Sequence, residues 1–265
     1  MSDQPPPNFA QYPRPQISYG SQYLRQPGIY FEAIGDAWKI ISSDLGAWVL
    51  FTLVALIVAT AISLPLTLAG LMFQNGGSLI PSATAANDLG AQLQRQVLGL
   101  PFGILNNGLQ FTVYGGVFFA ALKRVRGEPL AIEGIFAGFK AVVPLAVCGV
   151  LLWLGVALGM VFLIIPGLYF GAASIFAPLL IIDKGMSPVD AMMASWKTLG
   201  SSTWMMILLV IVAYIASIVG FFACCVGLLV TWPIFFVTIA LHYHYYFDQP
   251  MDQGFVPAPM EGPRV

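Results

Sequence analysis

Charged residues are scarce in this sequence. Only 9% of its 265 residues are charged and 58% are apolar, whereas an ordinary soluble domain is about 25% charged. So few charges cannot cover a water-facing surface, which argues strongly against a soluble globular enzyme. The net charge of −1 also provides no basic field to attract phosphates, so we expect no nucleic-acid partner.

Cysteine and histidine are too few, and too poorly placed, for a disulfide framework or a metal site. The three cysteines, Cys148, Cys224 and Cys225, lie inside apolar runs. Their odd number favours buried, unpaired side chains. His242 and His244 are two residues apart, so they would lie on different faces of a helix. No cysteine or carboxylate lies near enough in sequence to complete a metal site.

The two ends of the chain lack long apolar runs and are rich in proline. The first 29 residues contain Pro5-Pro6-Pro7 and no apolar core of a signal peptide. We predict solvated, disordered tails at 1–29 and 249–265, flanking a membrane domain at 30–248. Docking of these proline segments into aromatic grooves of a partner is the alternative.

Four long regions contain no Asp, Glu, Lys or Arg, namely 46–73, 98–122, 141–182 and 203–247. A helix needs about 20 residues to cross a bilayer. The first two regions therefore fit one crossing each, and the last two, at 42 and 45 residues, fit two each. Turns are expected at Pro166-Gly167 and between Gly220 and Gly227. The sequence predicts six spans, at roughly 46–70, 98–122, 142–165, 167–183, 203–222 and 228–247. The fourth is short and contains Pro178, so it is expected to be broken or weakly tilted.

The distribution of basic residues predicts the orientation of these spans. Six crossings place ten of the eleven lysines and arginines on one side, with Arg95 alone on the other. The positive-inside rule then places both termini in the cytoplasm. The segment 74–96 is expected to be the one sizeable external loop.

A nine-residue motif precedes each odd-numbered span. Its copies begin at Phe31, Ile132 and Val189 and read FEAIGDAWK, IEGIFAGFK and VDAMMASWK. Each has an acid at position two, small residues at three and seven, an aromatic residue at eight and lysine at nine. The repetition predicts three parallel units, each made of an interfacial amphipathic helix and two spans. Convergence on an aromatic residue and a lysine at the entry to a span is the alternative.

Helical geometry divides this motif into faces, because each residue turns about 100°. Positions one, four and eight form an apolar stripe, positions two and nine share a charged face, and positions three and seven form a small-residue face. The third copy also begins with a capping pattern, Ser187-Pro188-Val189-Asp190. The residues expected to contact lipid or a partner are Glu32, Trp38 and Lys39, Glu133, Phe139 and Lys140, and Asp190, Trp196 and Lys197.

Polar chemistry is sparse within the spans. None contains Asp, Glu, Lys or Arg in its middle, which argues against an ion-coupled pump and against an intramembrane enzyme. Asn106, Gln110 and Tyr114 share one face of the second span. They can line a polar cavity, although hydrogen bonds between helices are the favoured alternative. No nucleotide-binding, serine-hydrolase or metalloprotease motif is present, so we expect no catalytic residue, cofactor or metal.

Small and aromatic residues predict how the helices pack and where they end. Small residues four apart, such as Gly108, Thr112 and Gly116 or the pair Gly155 and Gly159, indicate helix contact faces. The stretch 241–247, LHYHYYF, is typical of an aromatic belt at the cytoplasmic boundary.

Three stretches, LIIPGLYF at 163–170, FAPLLIID at 176–183 and GMSPVDAMMASWK at 185–197, carry a family resemblance. They resemble a broad group of bacterial six-span inner-membrane proteins that includes the membrane domain of glycerophosphoryl diester phosphodiesterases. The resemblance implies a bacterial cytoplasmic membrane location and no catalysis. The phosphodiesterase activity of that group belongs to a separate soluble barrel with metal ligands.

Two functions follow as expectations from these patterns. The first is an all-α, non-catalytic membrane protein whose cytoplasmic interfacial helices form a platform for membrane lipids or other membrane proteins. The alternative is a permease or channel for a small neutral or lipid-like solute. The parallel repeats, the proline-broken spans and the polar face of the second span favour this alternative.

Overall fold

The computed structural model describes residues 27–80, 88–162, 164–222 and 226–248. These residues form helices joined by short turns, with no β-strand among them, which confirms the all-α class. The predicted tails, apart from residues 27–29, and both Cys224 and Cys225 lie outside the described residues. The α-helices are α1 (Glu32–Ser42), α2 (Leu45–Gln74), α3 (Leu89–Val125), α4 (Glu133–Ala137), α5 (Val142–Phe162), α6 (Ile164–Ala173), α7 (Ala177–Lys184), α8 (Pro188–Leu199), α9 (Thr203–Phe222) and α10 (Val226–Phe247).

Polar residues at the helix ends explain several of these boundaries. The carboxylate of Asp44 accepts a hydrogen bond from the backbone N–H of Ala47 at the start of α2. The predicted start of α8 is confirmed, because Ser187 accepts from the backbone N–H of Asp190 at 3.3 Å and donates to its carboxylate at 2.6 Å. Gly185 ends α7 in the left-handed conformation, at φ 65°, which glycine adopts at little cost.

Four helical stretches among the described residues are long and apolar enough to cross a membrane. Two of them join a motif helix to the helix that follows it, and a third contains both α6 and α7. These lengths and compositions indicate a membrane protein. The four stretches are Leu45–Gln74, Glu133–Val161, Ile164–Lys184 and Pro188–Ile218.

Two predicted boundaries are wrong. Helix α3 begins at Leu89, well before residue 98, because Asp88 caps the helix by accepting from the backbone N–H of Gly90 at 2.9 Å. Residues 89–96 are therefore helical and do not belong to an external loop. Pro166 and Gly167 lie in the first turn of α6, where the missing N–H of proline leaves no helical hydrogen bond unmade.

The expected break in the fourth predicted span is confirmed. Helix α6 ends at Ala173, and α7 begins at Ala177 with proline in its first turn. Ser195 of α8 bridges the break, because its Oγ donates to the carbonyl of Ala173 at 2.6 Å and accepts from the backbone N–H of Phe176 at 3.3 Å. The third motif copy thereby satisfies two backbone groups that the interruption leaves without helical partners.

Glycines allow close helix crossings at several predicted contact faces. A Cβ on Gly159 would lie 2.6 Å from the Cα of Gly167, so α5 and α6 touch backbone to backbone there. A Cβ on Gly108 would lie 3.3 Å from the carbonyl oxygen of Ala146. Dispersion contacts of this kind hold helices together in lipid, where there is little hydrophobic drive for association.

The aromatic stretch near the end of α10 is part of the protein interior, which corrects the expectation of an aromatic belt. His242, Tyr243, His244 and Tyr245 are fully buried. The ring of Tyr243 packs against Phe176, so this turn of α10 is enclosed by neighbouring helices. Cys148 is also buried and unpaired, as expected.

Candidate functional site

Three helices end around one buried arginine. Arg126 directly follows α3, Asp183 lies in the last turn of α7, and Asp248 directly follows α10. The guanidinium donates to both carboxylate oxygens of Asp183, at 2.6 and 2.9 Å, and to both oxygens of Asp248, at 2.8 Å each. The three side chains are 6%, 9% and 3% exposed. We call Arg126, Asp183 and Asp248 the arginine clasp.

Two further side chains complete the hydrogen bonding of the arginine clasp. Tyr243 donates its hydroxyl proton to Asp183 at 2.9 Å. His244 Nδ1 donates to Asp248 at 2.7 Å, since a carboxylate can only accept. Each carboxylate therefore accepts three hydrogen bonds. Buried charges are tolerated when they are paired and saturated in this way.

The arginine clasp favours the charged forms of Asp248 and Arg126. Burial raises the pKa of Asp248, but hydrogen bonds from His244 and Arg126 outweigh it, and the pKa is lowered from 3.8. Burial likewise opposes the charge of Arg126, yet its bonds to Asp183 and Asp248 raise its pKa. Because the pKa of Asp248 is lower in the folded state, its stabilising contribution is present above its ordinary pKa and is lost as the pH falls through the lowered value.

The segment before α1 is attached to the same end of α10. The backbone N–H of Tyr30 donates to Nε2 of His242 at 3.1 Å, while Nδ1 of His242 lies 2.8 Å from the carbonyl oxygen of Thr238. This geometry requires the neutral tautomer with its proton on Nδ1. The ring of Tyr30 also packs edge-on against Tyr245. The first and last described segments are therefore joined at one place.

The motif helices present the same pattern to their surroundings in all three copies. The small residues at positions three and seven are buried or half-buried, whereas the acid, the aromatic residue and the lysine are exposed. Trp38, Phe139 and Trp196 are 45%, 36% and 40% exposed. All nine residues predicted to contact lipid or a partner are accessible, and the contacts themselves stay a prediction.

The predicted apolar stripe of the motif does not form a single face. Ile135 and Met192, at position four, are buried, whereas Ile132 and Val189, at position one, are exposed. Position four packs into the core because it lies next to the small-residue face.

The three motif lysines differ in their electrostatic partners. Lys39 Nζ lies 3.0 Å from the carboxylate of Asp36. Within the described part of the chain, Lys140 and Lys197 have no ion pair or side-chain hydrogen bond. Each of these two lysines follows an exposed aromatic residue in the sequence.

The polar face of α3 is used partly for helix packing. Gln110 donates its side-chain N–H to the carbonyl of Ala59 in α2 at 3.0 Å. Tyr114 is 38% exposed and packs against Phe236. An open depression in the surface lies nearer the start of α3 and is lined by other residues, among them Gln96 and Trp153. The polar cavity therefore stays a prediction.

The arginine clasp is not evident from the sequence patterns. They group Arg126 with the other cations expected in the cytoplasm, and they give no role to Asp183 or Asp248. An unused signal was available, because Arg126 and Asp183 each lie six residues before a motif copy. In the described ranges, no group of three or more His, Cys, Asp or Glu side chains is arranged to hold a metal ion.

Comparison with known proteins gives relatives without an assigned function. The chain is 30% identical over 122 residues to the uncharacterised protein Rv2560 of Mycobacterium tuberculosis (strain ATCC 25618 / H37Rv) and equally to the uncharacterised protein Mb2590 of Mycobacterium bovis (strain ATCC BAA-935 / AF2122/97). Each match covers 46% of this chain and 37% of the relative. No family model and no solved structure matches.

Proposed function

We propose that this protein is a non-catalytic, six-span membrane protein whose three motif helices form a cytoplasmic platform for anionic lipid headgroups. The observation that carries the proposal is the common exposure of the acid, the aromatic residue and the lysine in all three copies. An exposed aromatic ring beside a lysine suits the boundary between acyl chains and headgroups.

Six crossings are supported by the lengths and ends of two further helices. Helices α3 and α10 contain 37 and 22 residues, and about 20 suffice for a crossing. The arginine clasp joins the C-terminal ends of α3, α7 and α10. In a six-span chain these are the ends of the second, fourth and sixth spans, which must lie on one side. Arg124, near the end of α3, also reaches Ser43, just before α2, at 3.4 Å.

The proposed location is the bacterial cytoplasmic membrane, with both termini in the cytoplasm. It is supported by the concentration of basic residues on one side and by the resemblance to bacterial six-span inner-membrane proteins. We therefore propose that this protein is related to that group.

Single-cysteine labelling tests the topology. In a chain whose native cysteines are replaced by alanine, we expect Ser78→Cys to react with a membrane-impermeant maleimide in intact cells. Ser42→Cys and Ser201→Cys are expected to react only after permeabilisation, because they lie at the opposite ends of the spans. All three serines are exposed or half-buried. Reaction of Ser78→Cys and Ser201→Cys in the same compartment would contradict the six-span topology.

Lipid binding tests the platform. The double variant Lys140→Gln/Lys197→Gln is expected to lose about 30-fold in affinity for phosphatidylglycerol, since each basic residue near a charged membrane contributes about fivefold. Binding is measured with the purified full-length protein and short-chain lipid, and phosphatidylcholine serves as the neutral comparison.

Lys39→Gln is the matched control. It removes a motif lysine whose charge is already balanced by Asp36, so a smaller loss is expected than for Lys140→Gln or Lys197→Gln alone. An unchanged affinity of the double variant, or an equal loss with phosphatidylcholine, would overturn the lipid platform.

A permease or channel for a small neutral or lipid-like solute is the second candidate. It is favoured by two buried side-chain oxygens on the polar face of α3, Asn106 Oδ1 and Gln110 Oε1, which have no hydrogen-bond partner among the described residues. Unpaired acceptors at this depth suit a solute that donates hydrogen bonds. Solute-dependent flux into proteoliposomes supports this candidate, and its absence in a folded preparation removes it.

A further inference from the structure

Two members of the arginine clasp occupy the same position relative to the motif. Arg126 lies six residues before Ile132, and Asp183 lies six residues before Val189. The segments 117–140 and 174–197 align on this basis without a gap. Phenylalanine, alanine and leucine then recur at matching places, 119 and 176, 120 and 177, and 122 and 179.

In two copies, the residue at position seven contacts the backbone of the segment that precedes the motif. In the second copy, position seven is Gly138, where an added Cβ would overlap the carbonyl oxygen of Thr112 and lie 3.0 Å from the backbone nitrogen of Gly116. In the third copy, position seven is Ser195, which donates to the carbonyl of Ala173. Thr112 and Gly116 lie 14 and ten residues before Arg126, and Ala173 lies ten residues before Asp183. In both copies, position seven therefore contacts the backbone before the motif, within about one helical turn of the same place.

Among the described residues no helix precedes α1, and α1 packs against α10. Its position-three and position-seven residues, Ala33 and Ala37, are fully buried. Tyr30 attaches the start of α1 to His242. Asp248 follows α10 as Arg126 follows α3. Helix α10 thus packs against the first motif copy as α3 and α7 pack against the second and third copies.

We infer that the three units form a closed ring, with the arginine clasp at its axis as the device that keeps the ring closed. The inference rests on the six-span topology of the proposed function and extends the three parallel units predicted from the sequence to a cyclic arrangement. Positions 126, 183 and 248 are equivalent members of the three units. Three acids there would repel one another, whereas one arginine between two aspartates satisfies both.

Exchange of the charged residues at positions 126 and 183 tests whether the two positions are equivalent. Arg126→Asp leaves three acids together and is expected to lower the midpoint of thermal unfolding by about 10 °C, or to prevent accumulation of the protein. Asp183→Arg alone places two arginines beside one acid, and it is expected to lower the midpoint of thermal unfolding, or the accumulation of the protein, to a similar extent. The double variant Arg126→Asp/Asp183→Arg moves the arginine to an equivalent position, and at least half of the loss is expected to be recovered.

The decisive measurement compares these full-length variants for yield of monodisperse protein and for the midpoint of unfolding. Recovery by the double variant supports the ring. A double variant no more stable, or no more abundant, than either single variant overturns it. The six-span proposal is tested separately, by cysteine labelling of a protein that keeps Arg126 and Asp183. Failure of the ring and failure of the six-span topology are therefore distinguishable.

A circular permutant tests the place of α1 in the ring. The chain starts at Asp44, continues through residue 265 to residue 1 and ends at Ser43, so that α1 follows α10 as α4 follows α3. We expect a monodisperse protein that retains the labelling pattern of the original chain. Loss of folded protein would overturn the assignment of α1 to the unit of α10.

Discussion

Replacement of Arg126 by glutamine is expected to reduce the free energy of unfolding by about 3–5 kcal/mol. The loss arises because the variant leaves Asp183 and Asp248 buried, adjacent and without their counter-ion, and breaking a buried pair on one side has an effect of this size. Thermal unfolding of the detergent-solubilised protein, followed by tryptophan fluorescence, measures the change.

Lys123→Gln is the control for this prediction. It breaks an ion pair with Glu128, but the two side chains are 40% and 48% exposed, so a loss of no more than about 1 kcal/mol is expected. Arg126→Lys is expected to fall between the two, because an ammonium group cannot form paired hydrogen bonds with two carboxylates. Equal stabilities of Arg126→Gln and Lys123→Gln would mean that the arginine clasp does not hold the helix ends.

Replacement of Gly116 by alanine is expected to destabilise the protein by about 2–3 kcal/mol, because overpacked sites force shifts of the backbone. A Cβ at this position would overlap the carbonyl oxygen of Ile135 in α4. That oxygen belongs to the backbone of a packed helix and cannot rotate aside as a flexible side chain would. The midpoint of thermal unfolding and the rate of proteolysis near residue 130 report the change.

Gly35→Ala is the matched control, because Gly35 lies in the first motif copy and an added Cβ meets nothing within 4 Å. Alanine in a helix interior is favoured over glycine by about 1 kcal/mol, so this variant is expected to be unchanged or slightly stabilised. A Gly116→Ala protein as stable as Gly35→Ala would contradict the close packing of α3 and α4.

The sequence predicted those features that depend on residues close together along the chain. Four of the six spans predicted from uncharged lengths coincide with helical stretches compatible with membrane crossing, and the capping pattern at Ser187 located the start of α8. The expected interruption near Pro178 was also found. Predicted helix boundaries were wrong where a single capping residue determines the start of the helix, as at Asp88. A hydropathy pattern does not show the effect of one hydrogen bond.

The sequence patterns did not predict contacts between segments that are distant in the chain. The aromatic stretch at the end of α10 has the composition of a membrane boundary belt, yet neighbouring helices enclose it. On an isolated helix, position four of the motif shares an apolar stripe with positions one and eight. Packing separated them, because only one side of a short helix can face the bundle.

The sequence by itself determined the all-helical class, the apolar lengths and the exposed residues of the motif, since each follows from composition and from the 3.6-residue period of a helix. Only the tertiary structure decided which of the cations is buried and which carboxylates it joins. Arg126 and Asp248 are 122 residues apart, and the attraction between such groups acts only after folding has brought the ends of α3, α7 and α10 together.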